Sequence, residues 1–413
     1  MQALISKIHQ LQDIGWVKKL SEYTFFLAVL IEIFIVLVDK SQLMNPFEGR
    51  LFQITFALCV IKVICTKYEW REYLTVFLFC LLGLAIDYFG DRNEILRAFM
   101  FIAACKGVDM KKCLRYVFWV TLFGCLVIVF LSVTGIYGDI QVPKLYDDGS
   151  LVNPYEILRY CFGMGNPNSF HIMVFALTVL GVYVYSKKMT LWMEIGLFVL
   201  DVIIFYLARC KTAALLIAMT IIAFALVNIF KESTKRVFDK LCLVISVFSV
   251  GLSVFFASLG KEIYTVFWIK PNREATLLFK IDRMLTGRIL SLVETENWDG
   301  AIESWKWFTV KGHERFFDLG FVRMFYWYGI IPTVIILLVF VYLFIFFIKG
   351  KKHEELVFLS LIAIFTVVES HFVSVYIGRC YPLFILGEFW PSLLSIGKGK
   401  DEQQLVQSVS ETE

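Results

Sequence analysis

Long apolar runs alternate with short polar ones along this chain, and the alternation predicts its elements. A helix needs about 20 apolar residues to cross the hydrocarbon core of a bilayer. The runs near 22–38, 51–66, 72–89, 93–106, 114–134, 169–186, 190–208, 212–230, 241–259, 328–348, 355–376 and 380–397 each read as such a helix. The expected fold is therefore all-α, a polytopic transmembrane helical bundle of about twelve spans. Two runs are irregular. Arg97 interrupts the fourth, which also fits a tilted or interfacial helix, and the last is short and carries Arg379, Pro382 and Pro391. Two polar stretches separate the spans most widely: 135–168, and 260–327, the longest polar run of the chain. They divide it into a bundle over 1–259, a loop over 260–327, further spans over 328–397 and a polar tail over 398–413.

Composition agrees with this pattern. Of 413 residues 59% are hydrophobic, and the mean hydropathy is +0.72, which leaves too little polar surface for a water-soluble domain of this size. The first twenty residues are mixed and polar, so no cleaved leader is expected and the first span acts as the insertion signal. The ten cysteines are scattered through apolar segments without a CxxC and read as small apolar residues.

Charge placement adds orientation. Cytoplasmic loops are enriched in Lys and Arg. Every second loop here is basic, and these loops (Lys7 to Lys19, Lys67 and Arg71, Lys106 to Arg115, Lys187 and Lys188, Lys231 to Lys240, Lys349 to Lys352, Lys398 and Lys400) hold 20 of the chain's 40 Lys and Arg. Both termini are then expected on the cytoplasmic side, with 135–168 and 260–327 facing outward. The cations bracket spans instead of forming one patch, which argues against a nucleic-acid partner. Those left on the outer side, such as Arg159, Arg209, Lys211 and Arg379, run against the topological bias and invite a functional reading.

Five stretches carry candidate chemistry. In 159–170, Arg159 and Tyr160 precede a Gly- and Asn-rich turn into a span, where Asn168 or Ser169 can cap the helix; a helix N-terminus with an Arg beside it suits an anion, though the stretch also fits an ordinary capped loop. Arg209 and Lys211 flank a very short turn, as phosphate ligands or as side chains snorkelling to headgroups. Thr286, Gly287 and Arg288 make a polar turn within the large loop. His313, Glu314, Asp318 and Arg323 lead into the next span, with Asp318 or His313 able to take a proton from a hydroxyl, or Asp318 and Arg323 serving as cap and anchor. Glu369 and His371 lie late in an apolar run, with Arg379 after them. The five histidines are too dispersed for a metal signature, and neither a Walker nor a dinucleotide glycine loop occurs, so neither metal nor cofactor is expected.

Taken together, these stretches resemble the Wzy-type O-antigen and capsule repeat-unit polymerases of the O-antigen ligase/polymerase superfamily. The resemblance rests on the RYxFGxxxxN-like run from Arg159 to Asn168, the Arg-Lys-Thr turn, Thr286 to Arg288, and the Asp-x-Gly-Phe-x-Arg run from Asp318 to Arg323, in that order over about residues 20 to 395. It implies a GT-C-like bundle in the bacterial cytoplasmic (inner) membrane. It implies an enzyme that transfers a growing glycan from undecaprenyl pyrophosphate to a hydroxyl of a new lipid-linked oligosaccharide unit on the extracytoplasmic face. A flippase and a chain-length regulator are implied partners. Related ligases keep a catalytic His just before the late span; the comparable place here holds Asp318, with His313 five residues upstream, which favours a polymerase.

On this reading Arg159, Arg209, Lys211 and Arg288, with Arg323, are candidates to bind the pyrophosphate, since Arg stabilises a developing anion without a metal. Asp318 or His313 activates the acceptor, with Glu369 or His371 in reserve. Trp298, Trp305 and Trp307 are candidates to stack on sugars, or to fill the loop's own core. The competing readings are a ligase with another acceptor and a flippase for lipid-linked sugar. A flippase calls for charges within several spans, and here those are few: Glu32, Lys62, Arg97 and Asp201.

Overall fold

A backbone surrounded by lipid must satisfy its own hydrogen bonds, so the apolar runs fold as helices. The computed structural model describes residues 10, 12–143, 158–271, 273–285, 287–294 and 297–395. Residues 144–157 of the first polar stretch, Thr286 and the tail over 398–413 lie outside the described residues.

Among the described residues, eight helices are long and apolar enough to cross a membrane. They include α1 (Gly15–Lys40), α3 (Trp70–Gly90), α5 (Met110–Val133), α6 (Pro167–Tyr185, continued by one tight turn to Lys188) and α7 (Leu191–Ala208). The others are α8 (Lys211–Ile229), α9 (Glu232–Ser258) and α13 (Ile330–Gly350). On their outer surfaces large apolar side chains such as Phe77, Phe198, Leu215 and Phe248 are exposed, the inverse of a protein that faces water. The protein is thus a mostly helical, multi-pass membrane protein.

Four of the expected twelve spans are shorter helices. These are α2 (Glu48–Ile64), α4 (Glu94–Ala104), α14 (His353–Val368) and α15 (Tyr381–Ser395). At 1.5 Å per residue they reach roughly 16 to 26 Å, less than the ~30 Å hydrocarbon core. Local features mark three of them. α14 ends where Glu369 turns to extended backbone, α15 holds Pro391 inside it, and α4 gives way to a turn at Gly107 with positive φ.

The irregular segment between α14 and α15, residues 369–380, is held from below by a buried ion pair. Glu32 of α1 accepts from Arg97 of α4 at 3.0 Å, from Thr55 of α2 at 2.6 Å and from the backbone N–H of Ile377 at 3.2 Å. Arg97 also donates to the Val375 carbonyl at 3.1 Å. Gly378 lies so close that a Cβ there would sit 2.7 Å from the Glu32 backbone. Thus two charges within the bundle, costly if unpaired, fix a loop.

The long polar run is built onto the bundle. It forms α10 (Gly260–Tyr264), a wide turn over Thr265–Ile269, α11 (Leu277–Met284), short turns, and α12 (Gly320–Tyr328). Ile263, Phe267, Ile289, Leu292, Phe317 and Leu319 share one core with Ile86, Phe256 and Val367 of the bundle. Every residue of α12 is buried. It is separated from α13 by Gly329, whose φ of 85° favours glycine and whose absent Cβ leaves room for the Phe308 backbone. Of the three tryptophans considered for sugar stacking, Trp305 is buried against Phe325 and Trp298 packs on Tyr264, while Trp307 is exposed. A two-stranded ribbon, β1 (Gln141–Val142) with β2 (Arg159–Tyr160), closes the first polar stretch.

Candidate functional site

At the end of the bundle where α1 and α14 finish and α6 begins, four segments enclose a polar cleft of about 210 Å³. Lys40 comes from the last turn of α1; Asn166, Asn168, Ser169 and Ile172 from the start of α6; Phe316 and Asp318 from the approach to α12. Glu369, Ser370, His371 and Arg379 come from the irregular segment after α14. A wider depression of about 490 Å³, lined by Asp87, Tyr88, Phe89, Asp91 and Lys311, is shallow and lacks such buried charge.

The start of α6 is shaped by its sequence. Asn166 caps it, its side chain accepting the Ser169 N–H at 2.7 Å, and Pro167 occupies the first turn. The remaining N–H groups and the positive end of the helix dipole face the cleft end. Arg159 lies behind this turn, donating to Asn168 Oδ1 at 2.7 Å and to the Ala208 carbonyl at 2.8 Å.

Opposite stands a carboxylate–guanidinium cluster. Buried Arg288 donates to Glu369 Oε1, and its Nε lies 3.6 Å from Asp318 Oδ2. The turn that presents Arg288 is fixed by Asp282, whose Oδ1 accepts the N–H of Ile289 at 2.8 Å and of Leu290 at 3.0 Å. Glu369 is buried, whereas the Asp318 side chain is 46% exposed in the cleft. Burial pushes the Glu369 carboxyl up to about 7, against the pull of Arg288.

On the third side Arg379 is buried and donates to Asp39 Oδ2 at 2.8 Å, with Lys40 Nζ 3.5 Å from the same oxygen. His371 is also buried, and both its ring nitrogens lack a hydrogen-bond partner among the described residues. Burial, then the charges of Arg379 and Lys40, hold its imidazole well below its ordinary pKa, so it is neutral at physiological pH. A buried imidazole with no partner, at the edge of a cleft, is fitted to a ligand or water inside it.

The residues singled out from sequence therefore divide. Asp318, Glu369 and His371 line the cleft, and Arg288 and Arg159 stand directly behind lining residues. Arg323 is one layer back, clamped between Trp327 at 3.7 Å and Phe316 at 4.3 Å and donating to Ser370 Oγ at 2.9 Å. His313 is turned away. Its Nδ1 bonds the Tyr326 carbonyl at 2.9 Å and its ring stacks on Tyr326. Arg209 and Lys211 are exposed at the turn between α7 and α8, and Arg209 takes the left-handed backbone that ends α7. Sequence reasoning missed Lys40, Asp282 and Ser370. Lys40 carried a usable signal, being a cation at the less basic end of its span.

Around the cleft five cations (Lys40, Arg159, Arg288, Arg323, Arg379) face three carboxylates (Asp39, Asp318, Glu369), an excess that suits an anionic ligand. A carboxylate of raised pKa beside it suits proton transfer. No protein family, characterised protein or solved structure matches the chain. The class that fold and site define is a helical membrane protein with a cation-rich polar cleft at one end of its bundle.

Proposed function

We propose that the protein is a membrane glycosyltransferase that polymerises undecaprenyl-pyrophosphate-linked oligosaccharide units, with the cleft as its active site. The observation that carries this reading is the cleft itself, where Arg288 lies between Asp318 and Glu369, across from Lys40, Arg379 and the first turn of α6. In the proposed orientation the termini face the cytoplasm and the cleft opens on the extracytoplasmic side of the bacterial inner membrane.

The reaction needs three things from the chain. The acceptor hydroxyl must lose its proton as it attacks the anomeric carbon of the donor sugar. The bond between that carbon and the pyrophosphate oxygen must break, and the departing pyrophosphate must be stabilised. Glu369, with its carboxyl near 7, takes the proton. Asp318 holds Arg288 from the open side and orients the acceptor. Lys40, Arg379 and the α6 N-terminus receive the growing negative charge of the leaving group. Neutral His371 hydrogen-bonds a sugar hydroxyl or phosphate oxygen. Arg159 and Arg323 position Asn168 and Ser370, while Arg209, Lys211 and His313 fall outside this assignment. The charges within spans support chemistry over transport, because Glu32, Arg97, Lys62 and Asp201 are each engaged with neighbouring helices instead of lining a passage.

The test is the glycan profile of cells carrying Glu369→Gln or Lys40→Ala at wild-type protein level. The expected result is loss of long polymer with single repeat units retained on lipid or at the surface. Unchanged polymer in both variants overturns the site. Normal repeat polymer that fails to reach its final acceptor indicates a ligase, and units held on the cytoplasmic side indicate a flippase.

A further inference from the structure

Helix α11 is turned inside out relative to a water-facing helix. Asp282 is buried at 3% exposure, holding the backbone ahead of the cleft, while Leu277 at 74% and Met284 at 80% stand out from the opposite face. Leu277, Lys280 and Met284 share that face by helical spacing, and Lys280 is exposed with them. Phe267 packs on Phe279 at 5.3 Å, which joins α11 to the preceding turn, where Trp268, Ile269 and Lys270 are exposed. Four large apolar side chains facing water carry a cost, and basic residues stand among them.

The chain path says what covers this surface. Helix α9 ends at Ser258, and α10 begins at Gly260 with Leu259 alone between them. The segment therefore starts where α9 leaves the hydrocarbon, beside the headgroups. Trp is favoured at that depth, as are Lys and Arg whose stems cross to the phosphates.

We propose that this face rests in the headgroup–acyl boundary of the bilayer, with Trp268, Ile269, Leu277 and Met284 in its apolar edge and Lys270, Lys280 and Arg283 against lipid phosphates. The inference stands apart from glycosyl transfer and holds for any chemistry in the cleft. It gives α11 two jobs. Its outer face lies on lipid, and its inner Asp282 fixes the turn that presents Arg288, so the height of that guanidinium above the membrane is set by the bilayer.

The test uses the full chain in phosphatidylcholine vesicles, with an encoded fluorescent amino acid at position 284, at 277, or at lipid-facing Phe248 of α9 as reference. Because both test side chains are largely exposed, replacing them leaves the packing intact. The expected result at 277 and 284 is loss of most emission to a nitroxide placed near the lipid headgroup, with little quenching by aqueous iodide; Phe248 responds to a nitroxide deep in the acyl chain. Strong iodide quenching at 277 and 284 overturns the proposal, because the face is then in water. Shielding from both quenchers also overturns it, because protein, a second copy or a partner, then covers the face.

Discussion

At the scale of residues, the cleft works by environment more than by residue type. Asp318 and Glu369 share Arg288, yet one carboxylate is half open and the other buried. Burial raises the Glu369 carboxyl to about 7, so on the proposed mechanism its active, ionised form is gained as pH rises through about 7 and lost below it. Polymerisation by membranes supplied with lipid-linked units is expected to show this acid limb. Glu369→Gln removes the limb and lowers the rate by about 10²–10⁴-fold, while Asp318→Asn keeps it. An unchanged limb in Glu369→Gln overturns the assignment of the base. His313 shows why residue type misleads. From sequence it is as good a base as Asp318, but its ring stacks on Tyr326 and it is not among the residues that line the cleft.

At the scale of elements, the decisive unit is the irregular segment over 369–380, which carries Glu369, Ser370, His371 and Arg379 into the cleft. A continuous apolar run suggested a helix as far as residue 376; the structure ends α14 at Val368. Tertiary partners won over local pattern, since Glu32 and Arg97 hold the Ile377 N–H and the Val375 carbonyl of the irregular segment. Arg97→Met leaves Glu32 buried without its cation, a change expected to cost about 3–5 kcal/mol. Adding Glu32→Gln is expected to recover part of that loss, because the buried charge is gone. Melting temperatures of the purified protein in detergent check both, and equal temperatures for wild type and Arg97→Met would sink the idea that this pair anchors the segment.

At the scale of the whole molecule, the proposed orientation places the Lys-rich end on the cytoplasmic side. Reporter fusions after residues 234 and 308 are expected to report opposite sides of the membrane, cytoplasmic and extracytoplasmic. The same side for both would break the alternation on which the orientation rests.

What the sequence by itself determined is the class and much of the layout: an all-α membrane protein, most of its helices, and two polar regions between them. These follow from local quantities, because apolar length and backbone satisfaction in lipid are properties of a single segment. Only the tertiary structure decided which polar residues meet. Arg288 and Glu369 are 81 positions apart, and Asp39 and Arg379 are 340 apart. No periodicity records such distances; they arise when α1, α6, α14 and the long loop pack together. The same packing turned His313 away, drew Lys40 and Arg379 to one carboxylate, and left His371 without a partner among the described residues at the cleft. A charge in a sequence says what it can bind, and only the fold says what it faces.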